Sequence, residues 1–429
     1  MIQGFVHALR VQSKIIFIVM RNLRGLTQVV VMADHPSHKA SEGQGNPLFE
    51  LAKNLTLESV IRCTGEMKDA PQAPGGSEMH PSRIEVLSEA LPELPIPVVV
   101  KGSDEETEAP TRFDYRWLDL RKPEKAKIFK VWTEFEKGWR EYWDKEGFIQ
   151  LYPPSFMSTP SEGGSEVFTV DYFDRKAYLA QSPQFYKQMA MASGLEKVFM
   201  VAPVFRAEPS FTTRHMTEFT GWDFEMSYIK DHHDIMDAEE GMVVAGFERL
   251  KKVFPELNIG VPTRPFPRIS MVETKKILGE RGIPSAEEHD VSPEEERALS
   301  EYVREKYDHD FVFLMDYHKS KSAFYHMLDP ENDNRARRAD LIYRGIEVTT
   351  MSQREHRPDI LEKQAADGGF KTGVMNLEPL KDFVNFFRWG CPPHGGAGVG
   401  PARFIMKILD LPNVREATYL PRDVKRLNP

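Results

Sequence analysis

The stretch APVFRAEPSFTTRHMTEFTGWDFEM, residues 202–226, determines the fold class. Near its end, residues of two kinds alternate: Trp222, Phe224, Met226 and Tyr228 fall on one face of an extended chain, and Asp223, Glu225 and Ser227 on the other. The same period places Arg206 and Glu208 together on the preceding run. The pattern predicts two sheet strands joined by a polar loop, with one face in the core and the other free for chemistry.

Several side chains of this stretch are of the kinds that an ATP site needs. Guanidinium groups bind phosphate oxygens, a carboxylate accepts a hydrogen bond from the adenine amino group, and an aromatic ring stacks on a purine. The candidates are Arg206, Glu208, Arg214, His215 and Phe219. The alternative is an ordinary ion-pair network on a surface hairpin.

The flanking sequence predicts two domains. Residues 1–101 contain short β-branched runs at 15–20, 27–32, 60–65, 84–86 and 96–100, which are typical of a five-stranded OB-type barrel that begins with a shortened first strand. An acidic linker is expected over 102–123. Residues 124–429 mix an amphipathic helix at 124–146 and further helices at 234–253 and 293–306 with antiparallel strands, which predicts an α+β domain.

Composition excludes several classes of protein. The 429 residues carry a net charge of -9 and only two cysteines, Cys63 and Cys391, so a disulfide framework is not expected and any nucleic-acid binding depends on local basic patches. The apolar run 15–20 is far shorter than the roughly 18 residues of a membrane-spanning helix. We therefore expect a cytoplasmic protein without a membrane anchor or secretion signal.

Three ordered motifs carry a family resemblance. Phe205–Glu208 followed by Arg214–Phe219 resembles the second signature motif of class II aminoacyl-tRNA synthetases, residues 147–154 resemble the first, and residues 396–403 the third. The resemblance implies ATP binding and catalysis by Arg206 and Arg403, and a homodimer interface around 132–154. The glycine-rich run at 395–400 is not a dinucleotide-binding turn, because only 29 residues follow Gly400.

The aspartate-type members of this class are the best match. Gln181–Gln188 reads QSPQFYKQ, and the resemblance implies that Lys187 pairs with the side-chain carboxylate of the substrate L-aspartate. A lysine ammonium suits a carboxylate better than an amide. By the same resemblance the amino acid contacts four further residues: Glu162, Gln184, Asp223 and Arg354. Glu162 lies in a predicted loop, 161–166, that closes over the amino acid.

Two acidic residues are candidate ligands of Mg²⁺. Asp340 and Glu347 flank Arg344–Gly345, a predicted hairpin turn, and paired carboxylates near phosphates suit this ion. Salt bridges to Arg337 or Arg338 are the alternative. We do not expect zinc at the run 231–234, because adjacent residues do not readily converge on one ion.

The small domain resembles the anticodon-binding barrel of the same enzymes. This implies that four barrel residues contact tRNA-Asp: Arg10, Phe17, Gln28 and Glu66. Members that discriminate against tRNA-Asn tend to carry a Trp and a Lys in the stretches that correspond to 17–20 and 69–76. Neither residue is present there, so we expect charging of both tRNA-Asp and tRNA-Asn.

Three positions depart from the family pattern, and two other functions remain open. Pro401 replaces the usual Leu, Ala402 the usual acidic residue, and Met351 lies where Gly is common. The first alternative is an asparagine-charging enzyme on the same scaffold, which Lys187 and Asp223 disfavour. The second is a non-catalytic paralogue that binds tRNA or a partner protein.

Overall fold

The computed structural model describes residues 1–34, 46–99, 106–161, 166–285, 287–367 and 380–429. The chain forms two compact units, Met1–Lys125 and Ala126–Pro429. Within the described residues, no helix is long and apolar enough to cross a membrane.

The first unit contains a closed five-stranded barrel, as the OB-type prediction requires. Its strands follow the order β1-β2-β3-β5-β4 around the barrel. The elements are β1 (Ile2–Val11), β2 (Ile15–Asn22), β3 (Gly25–Met32), α1 (Pro47–Lys53), β4 (Val60–Asp69) and β5 (Ser77–Ser88). Side chains that alternate along the strands, including Val6, Ile16, Ile18 and Ile61, fill the interior.

One expectation about the barrel is wrong, and it concerns the last of the predicted strands. The first strand, Ile2–Val11, pairs with both β2 and β4. Residues 96–99 do not form a strand; prolines at 95 and 97 remove two backbone donors, and Ile96 and Val98 instead pack on Leu118. The unit continues with α2 (Ala109–Asp114) and α3 (Arg116–Asp119), in the second half of the predicted linker.

The second unit combines helices with an eight-stranded sheet, which confirms the predicted α+β class. The helices are α4 (Pro123–Lys145), α5 (Gln184–Ala192), α6 (His233–Val253), α7 (Met271–Glu280), α8 (Pro293–Tyr307), α9 (Pro358–Ala366), α10 (Lys381–Asn385) and α11 (Pro401–Ile408). The strands are β6 (Ile149–Leu151), β7 (Phe156–Met157), β8 (Thr169–Tyr172), β9 (Arg175–Leu179), β10 (Lys197–Phe205), β11 (Glu218–Ser227), β12 (Arg268–Ser270), β13 (Phe311–Met315), β14 (Leu328–Asp329), β15 (Asn332–Ala336), β16 (Arg338–Tyr343), β17 (Ile346–Gln353) and β18 (His394–Val399).

The large sheet has the order β12-β13-β16-β17-β18-β11-β10-β6. Its central pairs are antiparallel, and parallel pairs occur only at the two edges of this sheet, β12 with β13 and β10 with β6. Trp222 and Phe224 on β11 lie in the main core, as the alternation predicts. Asp223 and Glu225 point to the opposite face, where the charged groups described below gather.

Helix α4 buries its apolar face within its own unit. Ile128, Phe135 and Trp139 belong to the main core together with Trp222, and the Phe135 and Trp139 rings lie 4.6 Å apart. This face therefore does not require a second copy of the chain to cover it, so the apolar helix by itself is not evidence of a dimer.

Candidate active site

The loop between β10 and β11 holds most of the predicted ATP residues. Strand β10 ends at Phe205, so Arg206 and Glu208 lie beyond the strand and not on one of its faces. The Arg206 guanidinium carbon is 5.6 Å from the centre of the Phe219 ring, and Glu208 lies 3.7 Å from Arg206 and 3.9 Å from His215. A cation, a carboxylate and a half-buried ring thus lie together, as an adenine and phosphate site requires.

His215 is neutral at physiological pH. Burial lowers its pKa, and Arg403 and Arg214 nearby lower it further against the opposing effect of Glu208. Its Nδ1 is 2.7 Å from the hydroxyl of Thr212. His215 therefore lies close enough to Glu208, Arg214 and Arg403 to be affected by their charges.

A β-bulge places the third motif beside Glu347. Strands β16 and β17 join at Arg344 and Gly345, both with positive φ, which confirms the predicted hairpin. Leu341 pairs with Thr349 and Ile342 with Glu347, so Val348 is the extra residue. The Val348 carbonyl accepts from the Gly400 amide at 2.9 Å, and the Glu347 carbonyl accepts from Arg403 Nη1 at 2.8 Å.

The three residues that depart from the family pattern are buried. Pro401 and Ala402 are buried at the start of α11, and Ala402 packs in the main core. The guanidinium of Arg403 also lies 3.3 Å from the Glu347 carboxylate. Met351 is buried on the core face of β17. These substitutions fill the core and leave Arg403 on the polar side.

Asp340 and Glu347 line one polar cavity of about 190 Å³. They are not direct strand partners, since Asp340 pairs with Thr350. Arg338 holds Asp340 at 2.8 Å, so the alternative salt bridge is present as well. Burial raises the pKa of Asp340 in spite of Arg338, and Glu347 raises it further.

The pKa of Glu347 is lowered: burial would raise it, but Arg403 and Arg338 outweigh that effect. Asp340 and Glu347 thus present two carboxyl groups to one small polar cavity. Oxygen ligands of this kind fit Mg²⁺.

Lys187 and Arg354 form a buried charge cluster on the polar face of the sheet. The Lys187 ammonium is 2.7 Å from the carboxylate of Asp223 and 3.6 Å from that of Glu225. Arg354 donates to Glu225 at 2.9 Å. Lys187 retains only 1% of its exposure. The two positive side chains therefore neutralise the two carboxylates. A ligand that enters this cluster can pair its negative groups with Lys187 or Arg354 and its positive groups with Asp223 or Glu225.

The pKa values around the cluster fix its charge state. Burial alone would raise the pKa of Glu225, but Arg354 and Lys187 outweigh this effect and lower it, so Glu225 is ionised. Burial lowers the pKa of His394 to about 4, so its ring is neutral. A chain of polar contacts runs from Gln184 to Gln188 at 2.8 Å and on to His394 at 3.2 Å. Glu162, the remaining predicted aspartate contact, lies outside the described residues.

Sequence reasoning missed two acidic residues near this site. Glu296 on α8 accepts from Arg214 at 2.5 Å, and Glu239 on α6 accepts from Thr349 behind the sheet. The sequence places them within the predicted helices 234–253 and 293–306 without a further signal of function. A signal for Glu296 is its place beside Glu295 at the buried face of an amphipathic helix.

The run at 231–234 is closer to a metal site than the sequence suggests. Ligand atoms of Asp231, His232 and His233 all lie within 4.8 Å of one another, so the expectation that adjacent residues do not converge is wrong. Asp231 already accepts from the His233 amide at 2.7 Å, and His233 Nδ1 lies 2.9 Å from Arg268. These bonds engage Asp231 and His233, whereas the buried Nδ1 of His232 has no hydrogen-bond partner among the described residues.

The four predicted anticodon residues lie on the barrel strands. Arg10 pairs with Phe17 across β1 and β2. Gln28 donates to Glu78 at 3.0 Å, which in turn contacts His80 at 3.0 Å, and His80 pairs with Glu66. Arg10 and Glu66 are exposed, and Phe17 and Gln28 half-buried. An amide, an aromatic ring and charges of both signs are thus available on neighbouring strands.

Comparison with known proteins gives matches along the whole chain. Residues 108–424 match the class II tRNA synthetases (D, K and N), and residues 1–87 match the OB-fold nucleic acid binding domain. An Aspartate--tRNA(Asp/Asn) ligase from Aeropyrum pernix is 38% identical, over 99% of this chain and 94% of its own length. An Aspartate--tRNA(Asp) ligase from Pyrococcus horikoshii is also 38% identical, over 100% and 95%.

A solved structure has the same fold throughout. The asparaginyl-tRNA synthetase of Pyrococcus horikoshii, complexed with asparaginyl-adenylate, has a TM-score of 0.88 and 33% identity, over 100% of this chain and 95% of that chain. The scaffold is therefore common to enzymes for two amino acids, so the choice between them depends on the side chains of the site.

Proposed function

We propose that this chain, which belongs to the class II tRNA synthetases of the D, K and N group, is an aspartate–tRNA ligase. It activates L-aspartate with ATP and transfers the aspartyl group to tRNA-Asp, and also to tRNA-Asn. The 38% identity to two aspartate–tRNA ligases along nearly the full length of each supports this function.

The observation that carries the choice of aspartate is the buried ammonium of Lys187. It lies 2.7 Å from Asp223, in a cluster with Glu225 and Arg354. Substrate aspartate brings two carboxylates and one ammonium. Its side-chain carboxylate takes Lys187 and Arg354 as partners, and its ammonium takes Asp223. Asparagine offers a neutral amide to the two cations and leaves their charge less well compensated.

The phosphate groups of ATP bind the arginines of the second and third motifs. Arg206 and Arg403 stabilise the charge that develops on the α-phosphate while the aspartate α-carboxylate attacks it in line and pyrophosphate leaves. Glu208 accepts from the adenine amino group, His215 as a neutral ring contacts phosphate, and Phe219 stacks on the base. The reaction needs no side-chain nucleophile, because the substrate carboxylate is itself the nucleophile.

Asp340 and Glu347 would hold Mg²⁺. When bound, the ion neutralises phosphate charge. Arg338 pairs with Asp340 and Arg403 with Glu347, and these arginine contacts shift to phosphate oxygens when ATP enters. This exchange of partners lets a highly charged substrate enter without leaving a buried charge uncompensated.

The partners and the setting follow from the same chemistry. The barrel reads the anticodon of tRNA through Arg10, Phe17, Gln28 and Glu66. A homodimer forms through the region after α4, where Ile149, Tyr152 and Phe156 are exposed by 46%, 80% and 53%. The free cysteines, Cys63 and Cys391, suit the reducing cytoplasm.

Charging of purified transcripts tests the proposal. Radiolabelled aspartate and asparagine are each offered with tRNA-Asp and with tRNA-Asn. Aspartate on both tRNAs and asparagine on neither is the expected result. Asparagine on tRNA-Asn would instead establish the asparagine enzyme, and no charging with any pair would favour a paralogue that only binds.

A further inference from the structure

Glu296 is a buried carboxylate that the reaction described above does not use. It lies on α8 with 4% of its surface exposed, and its Oε2 is 2.5 Å from Arg214 Nη1. Arg214 belongs to the loop between β10 and β11. A long side chain on a loop has many rotamers, so a fixed partner is needed to hold it in one direction.

Helix α8 is a rigid support for this partner. Its N-terminus carries a complete capping box between Ser292 and Glu295. Glu295 also binds the Lys275 ammonium at 2.7 Å, which ties α8 to α7. Glu296 is next to Glu295 in the first turn, so its carboxylate extends from a turn that is fixed by these contacts.

The contact leaves most of the Arg214 guanidinium available. Arg214 and Glu296 line the same cavity as Asp340 and Glu347. The bond to Glu296 uses Nη1 alone, and among the described residues the guanidinium of Arg214 has no second hydrogen-bond acceptor. An arginine has five N–H donors, so the remaining ones are free for oxygen atoms that enter the cavity.

We propose that Glu296 is a positioning residue, which holds one nitrogen of Arg214 so that its other donors face the triphosphate of ATP. This inference rests on the proposed function, because it takes the cavity to be the place where the phosphates bind. Glu296 itself does not touch ATP. Its effect is exerted through Arg214 alone.

Two variants and one control test this role. Glu296→Gln preserves size and one acceptor oxygen, and Glu296→Ala removes the contact. Glu294→Ala alters an exposed residue of the same turn and serves as the control. The dissociation constant of Mg·ATP is measured by calorimetry, and the KM values of ATP and aspartate by pyrophosphate exchange, each also in an Arg214→Ala background. Thermal unfolding identifies any variant that does not fold. If Glu296→Ala does not fold, Glu296→Gln takes its place in the comparison.

We expect Glu296→Ala to weaken Mg·ATP binding at least ten-fold and to leave the aspartate KM within two-fold. In the Arg214→Ala background the same substitution adds less than two-fold. An equal loss with and without Arg214, or equal rises in both KM values, would overturn the inference. A wild type that binds Mg·ATP without aspartate-dependent exchange would refute the proposed function, and the binding constants would still decide the role of Glu296.

Discussion

Replacement of Lys187 by Met isolates the residue on which amino-acid choice depends. Lys187 is almost fully buried and is 2.7 Å from Asp223 and 3.6 Å from Glu225. Loss of one partner from a buried ion pair costs about 3–5 kcal/mol. If the same loss applies to a bound substrate carboxylate, the catalytic efficiency with aspartate falls by about 10²–10⁴-fold. ATP should bind nearly as well as before, because the ATP residues lie on other elements.

The assay must separate a lost substrate contact from a damaged fold. Aspartate-dependent pyrophosphate exchange and Mg·ATP binding are measured for Lys187→Met and for Lys276→Met, a control whose lysine side chain is 76% exposed. Lys187→Met leaves the Asp223 carboxylate without its lysine partner. The double variant Lys187→Met/Asp223→Asn removes that charge, so it should be thermally more stable than Lys187→Met but equally inactive. Unchanged exchange in Lys187→Met would remove this lysine from the site and refute the argument for aspartate.

Three further outcomes follow from the structure. Burial raises the pKa of Glu239 from 4.5 to about 8. The contribution of Glu239 to the free energy of unfolding is therefore fully present below pH 4.5 and is lost as the pH rises through 8. Between pH 5 and 7, urea unfolding should show that the free energy of unfolding of the wild type falls by about 1.4 kcal/mol per pH unit relative to that of Glu239→Gln. The same pH dependence in both proteins would contradict this. Charging of tRNA-Asp and tRNA-Asn at matched concentrations should differ by less than about 100-fold in catalytic efficiency; a larger preference would mean that the barrel discriminates through residues outside 17–20 and 69–76. Sedimentation should find a dimer that Tyr152→Glu weakens at least ten-fold, whereas a fully active wild-type monomer would disprove the interface.

Local patterns predicted the elements better than the contacts between them. Alternation along β11 correctly assigned Trp222 to the core and Asp223 to the polar face. The strand predicted at 96–100 is absent over the described residues 96–99, because Pro95 and Pro97 lack the backbone N–H groups that a strand donates, and these prolines outweigh the apolar character of the run. The sequence predicts that one face of α4 is buried, but it does not reveal that the chain's own core covers that face.

The charged pairs of the site lie beyond what a single sequence can reveal. Arg214 and Glu296 are 82 positions apart, and Lys187 and Asp223 are 36 apart. The motif resemblance indicated Lys187, Asp223 and Arg214 as ligand contacts, but it did not indicate that Asp223 pairs with Lys187 or that Glu296 holds Arg214. Burial decides which of these carboxylates matter, and burial is a property of the folded chain.

Aspartate-dependent ATP–pyrophosphate exchange by the wild-type protein tests the central claim most directly, because it requires ATP, the amino-acid pocket and the arginines together but no tRNA. The buried Lys187, Asp223, Glu225 and Arg354 cluster predicts exchange with aspartate and at least about 100-fold less with asparagine at equal concentration, equivalent to nearly 3 kcal/mol. Exchange that depends on asparagine instead, or no exchange with either amino acid, would contradict it.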